Sequence, residues 1–176
     1  MLGAWDVNVS VGSMPEKVAT AVAALNEKFV GAEYTPIAYL GSQVVNGTNH
    51  AVLAEQLLVT GKDTKNVVLL IFNEKGMDCE LVNIERVVEG GEEFGGAKVD
   101  VKTDLDAEAK ALFDAALGDF VGSTVEPFAL LATQVVRGVD YIFAAEVTPV
   151  AEDPVKKVSK VTINAEEKTV SFVDIL

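Results

Sequence analysis

The chain has 176 residues, of which 49% are hydrophobic and 23% charged, enough apolar material to bury a core and too much for a disordered chain. Fourteen Lys and Arg stand against 27 Asp and Glu, a net charge of −13. This argues against a phosphate-backbone binder and disfavours an anionic membrane surface. No apolar run approaches the ~20 residues of a membrane span. The single cysteine, Cys79, has no internal partner for a disulfide.

From the start, Trp5, Val7, Val9 and Val11 alternate with other residues, a strand period. Ser13-Met14-Pro15-Glu16 reads as a helix start, with Ser13 as cap, Pro15 in the first turn and Glu16 completing a capping box. Val18, Val22, Leu25 and Phe29 fall on one helical face, and Gly31 ends the helix. Strands are predicted over Tyr34–Val45, Ala51–Val59, Asn66–Phe72 and Cys79–Val88. The turns between them hold Gly47 and Asn49, then Gly61-Lys62-Asp63, then Asn73-Glu74-Lys75-Gly76.

The same order then recurs. Phe29-Val30-Gly31 returns as Phe120-Val121-Gly122, Pro36 as Pro127 and Leu40 as Leu131, all at a spacing of 91 residues. Gln43-Val44-Val45 returns as Gln134-Val135-Val136, Gly47 as Gly138, Ala54-Glu55 as Ala145-Glu146 and Asn73 as Asn164. An ordered series at one offset is a tandem duplication. We place its halves at 1–91 and 92–176, joined by the glycine- and glutamate-rich stretch Glu89–Gly96, which reads as a flexible, solvated linker. In the second half, Val99 and Val101 alternate and Asp104 is the expected helix cap. Leu105, Ala109, Leu112, Phe113, Ala116 and Phe120 form the helical stripe. Its strands are predicted over Phe128–Val136, Tyr141–Val147, Val155–Ile163 and Thr169–Leu176. The pattern predicts an α+β fold, with one helix packed on a four- to five-stranded antiparallel sheet in each half.

The twice-occurring Gln-Val-Val-Xaa-Gly between two apolar strands is the most informative motif. With Ser42-Gln43-Val44-Val45-Asn46-Gly47-Thr48-Asn49 and Thr133-Gln134-Val135-Val136-Arg137-Gly138, the chain resembles the cystatin superfamily, and its stefin branch most closely. The resemblance covers nearly all of each half. It implies two tandem cystatin-like domains that plug the cleft of papain-like cysteine proteases with a preformed hairpin. Gln43, Val44, Val45, Asn46 and Gly47 would serve in the first half, and Gln134, Val135, Val136, Arg137 and Gly138 in the second. Gly3, after Met1-Leu2, stands where the family has its trunk glycine, and Gly95-Gly96 resembles the corresponding pair of the second half. The family's second hairpin carries Pro or Pro-Trp; here the turns are Asn73-Glu74-Lys75-Gly76-Met77 and Asn164-Ala165-Glu166-Glu167-Lys168, with neither residue.

No nucleophile–base pair is recognisable around the single His50 and the single Cys79, so a non-enzymatic protein is expected, with no cofactor and no metal. His50 reads as a strand-face filler, since Tyr141 takes its place in the second half, and Cys79 as an inert thiol. The expected partner is a papain-like cysteine protease, with no nucleic acid and no membrane. Self-association through sheet edges or strand exchange is a further expectation. The alternative function is a non-inhibitory scaffold that binds another protein or assembles. With no basic and apolar leader at the start, a cytoplasmic location is favoured.

Overall fold

The computed structural model describes residues 3–60 and 62–176. Met1 and Leu2 of the expected trunk, and Gly61 of the expected turn, lie outside them. The chain forms two compact units, Met1–Gly90 and Gly91–Leu176.

The first unit contains β1 (Trp5–Ser10), α1 (Glu16–Lys28), β2 (Ala32–Val45), β3 (Gly47–Thr60), β4 (Lys62–Lys75) and β5 (Asp78–Val88). The second contains β6 (Lys98–Lys102), α2 (Ala107–Leu117), β7 (Ser123–Val136), β8 (Gly138–Pro149), β9 (Lys157–Asn164) and β10 (Val170–Asp174). Each unit has one antiparallel sheet whose strands neighbour in chain order, β1-β2-β3-β4-β5 and β10-β9-β8-β7-β6. Tight turns join β2 to β3, β4 to β5 and β7 to β8, as sequential antiparallel strands allow, while the helices bridge β1 to β2 and β6 to β7.

The expected α+β class, two cystatin-like domains with one helix on a four- to five-stranded sheet, is overturned. Strands hold 58% of the residues and helices 15%, so the architecture is mainly β, two five-stranded antiparallel sheets with two helices. The reason is strand length. The apolar run ends at Phe72, yet β4 continues through Asn73 and Glu74 to Lys75. β3 likewise starts at Gly47, four residues before Ala51. Backbone pairing needs no side-chain hydrophobicity, so the ladders run past the buried zone into polar sequence.

Each helix lies against one face of its own sheet. Val18, Val22 and Leu25 of α1 meet Tyr34, Val52, Ala54, Val68, Leu70 and Phe72. Leu105, Ala109 and Phe113 meet Leu130, Phe143, Ala145, Val161 and Ile163, with Phe113 and Phe143 edge to face at 5.1 Å.

Three local expectations are corrected. Pro15, not Ser13, precedes the first residue of α1, and no side chain caps it. Ser13 Oγ instead pairs with Ser10 Oγ at 2.6 Å. α1 ends at Lys28, before the left-handed Gly31. In the second unit Asp106, not Asp104, is the cap, its carboxylate accepting from Ala109 N at 2.8 Å. The stretch expected to be a loose linker contains a 3-10 turn over Glu92–Phe94, closed by Gly95 N donating to Glu92 O and Gly96 N to Gly91 O.

Candidate functional site

β2 and β3 form a long hairpin in which Val44 faces Thr48 and Val45 faces Gly47, leaving Asn46 alone at the tip. So tight a reversal demands left-handed backbone after the tip, which Gly47 supplies at φ 89° and Gly138 at φ 84°. The glycines have a second reason. A Cβ on Gly47 would stand 2.5 Å from Glu74 O, because the β4–β5 turn is pressed against the first hairpin. On Gly138 it would stand 2.8 Å from the Glu166 side chain.

The expected site residues of the first unit are brought together by one polar chain. Gly3 N donates to Val44 O at 3.1 Å, and Gln43 Nε2 donates to Gly3 O at 2.7 Å. Gln43 Oε1 accepts from Asn49 Nδ2 at 3.0 Å. Asn73 Nδ2 reaches both Asn49 Oδ1, at 2.9 Å, and Asn46 O, at 3.3 Å. Gly3, the first hairpin and the second hairpin therefore form one connected end of the sheet. Gln43 points its amide into this chain, while Val44 and Val45 are 56% and 38% exposed. Met77, in the second turn, is 91% exposed.

The second unit repeats the chain with changes. Gln134 Nε2 donates to Gly95 O at 2.8 Å. Asn164 Nδ2 donates to Asp140 Oδ1 at 2.8 Å and to Arg137 O at 3.0 Å. Val135 and Val136 are exposed. Arg137, at the tip, pairs with Glu167 at 3.5 Å, so charge surrounds this hairpin.

Sequence reasoning missed the role of Asn73 and Asn164 as the clasp between hairpins. Their recurrence at the repeat spacing was the signal. It also missed a chain under the first tip. His50 is buried, with Nδ1 2.7 Å from Tyr39 Oη and Nε2 2.9 Å from Glu74 Oε1. Lys17 Nζ lies 3.2 Å from Glu74 Oε2. The hydrogen bond with His50, and then that with Lys17, holds the Glu74 carboxyl below the usual carboxylate range. Burial pushes the Tyr39 phenol up. Burial likewise raises the Cys79 thiol, which disfavours a reactive thiolate. Among the described residues no cluster of three or more His, Cys, Asp or Glu could hold a metal ion, and no helix is long and apolar enough to cross a membrane.

No protein-family model matches the chain, and no curated protein matches it.

Proposed function

We propose that the hairpin end of the first unit binds the active-site cleft of a papain-like cysteine protease, reversibly and with no chemistry of its own. This extends the likeness of the Gln-Val-Val-Xaa-Gly hairpins to the stefin motif. The observation that carries it is the connected edge formed by Gly3, Val44-Val45-Asn46 and the Met77 turn, which exposes the side chains of Val44, Val45 and Met77. An apolar slot would take Val44, Val45 and Met77 at about 1–2 kcal/mol each. The hairpin is already held by its own ladder and polar chain, so little conformational freedom is lost on docking. The turn inserts no free end at the nucleophile, which leaves the loop uncut.

The second unit supports the alternative reading, a non-inhibitory surface. Its tip carries Arg137 and its second turn Glu166, Glu167 and Lys168, and charges entering an apolar slot must lose their water.

Titrating active papain with the full chain tests the proposal. Inhibition is expected, and Val44→Asp should weaken it by about tenfold or more, since a desolvated carboxylate replaces an apolar contact. Val135→Asp should leave it unchanged. An absence of inhibition at ~100 µM chain, far above the affinity expected of a specific complex, would overturn the reading.

A further inference from the structure

We propose that Lys17, His50 and Glu74 are positioning residues that hold the second turn of the first unit, and that their chain makes this unit the competent binding head. The inference rests on the protease reading for its last clause and on geometry alone for the rest.

Four elements meet in this chain. Lys17 on α1 donates to Gly76 O at 2.8 Å and lies against Glu74 on β4. Glu74 is bound to His50 on β3, which in turn bonds Tyr39 on β2. The Lys17–Glu74 contact alone would count for little, because exposed ion pairs are screened and cost side-chain freedom. Here it ends on a buried imidazole that is itself fixed from the other side, so the carboxylate is pre-oriented. Lys17 then reaches a backbone carbonyl inside the turn, one residue before Met77. The turn that carries the most exposed apolar side chain of this edge is thereby anchored to the helix.

The second unit cannot build the same device. At the repeat spacing Lys17 becomes Glu108, Tyr39 becomes Leu130, His50 becomes Tyr141 and Glu74 becomes Ala165. All four members are replaced, while Gln134, Val135, Val136, Gly138 and Asn164 of the hairpin clasp are retained. A chain that is present in one copy and dismantled at every member in the other, directly beneath the same hairpins, marks a difference in use. In the second unit the exposed Arg137–Glu167 pair is made instead, by the tip residue itself.

Two measurements on the full chain test this. In the free protein, Lys17→Met should speed amide hydrogen exchange across Lys75–Asp78 several-fold, with Lys17→Arg restoring most of the protection. Against papain, Lys17→Met should weaken binding about three- to tenfold through faster dissociation, the scale of one lost charge-assisted hydrogen bond. In a Met77→Ala background the same substitution should have no further effect on binding. Unchanged exchange in Lys17→Met, or a binding loss of equal size with and without Met77, would overturn the positioning role. Faster exchange in a chain that binds no papain would sustain the positioning role and remove the binding-head assignment together with the protease reading.

Discussion

Gly47 and Gly138 occupy equivalent places in the two hairpins but face different neighbours. A methyl group on Gly47 meets a backbone carbonyl, that of Glu74, at 2.5 Å, whereas one on Gly138 meets the Glu166 side chain at 2.8 Å, where the carboxylate can swing away and the Cβ moves only with the backbone. Both also pay for left-handed backbone. Gly47→Ala should therefore cost about 1–3 kcal/mol, at the upper part of the range for a strained site, and Gly138→Ala less. Urea denaturation midpoints of the two variants compare them directly; equal losses would show that the carbonyl contact relaxes freely. Glu74 makes a second residue-scale prediction. Its folded-state pKa is lowered, by His50 first and Lys17 second, so the stability it contributes is full above the ordinary glutamate value of about 4.3. That contribution is lost as pH falls through the lowered value. A carboxyl chemical-shift titration should place the Glu74 midpoint below the usual range, and His50→Phe should move it upward.

Among elements, the two helices start differently although both sequences offered a capping residue. α2 has a true cap in Asp106, and Asp106→Ala should cost about 1 kcal/mol. Ser13 makes no cap to α1, so Ser13→Ala should change stability by no more than about 0.5 kcal/mol. Thermal or denaturant unfolding of the pair separates the two cases. The sequence placed Ser13 correctly near the helix start, but Pro15 fixes the backbone just ahead of Glu16 and the serine turns to Ser10 instead. Strands show the opposite error. Their positions were legible from alternation, yet their ends were not, because hydrogen-bonded pairing continues into polar residues such as Asn49 and Asn73. Those polar extensions build the candidate site. At the β5 edge of the first sheet, β5 steps out of register with β4 at Val82 and again at Val87. Such bulges blunt an edge against further pairing, so light scattering of Val82 deleted from the strand should reveal more self-association than the parent chain.

For the whole molecule, the two units offer first hairpins of unlike chemistry, one tipped by Val44-Val45-Asn46 and one by Arg137 paired with Glu167. A papain titration should therefore saturate at one protease per chain, a stoichiometry that calorimetry reads directly. The sequence by itself determined the duplication, the order of strands and helix within each half, the net negative charge, and the two Gln-Val-Val-Xaa-Gly hairpins, because periodicity, turn chemistry and net charge are local or additive properties of the chain. Tertiary structure alone decided how far the strands run into polar sequence, that Gln43 turns its amide to Gly3, and that Lys17, Tyr39, His50 and Glu74, dispersed over 58 positions, join in one chain beside the second turn. Side chains so far apart in sequence carry no shared periodicity; only the pairing register of the sheet and the seating of the helix on it bring them within hydrogen-bonding distance.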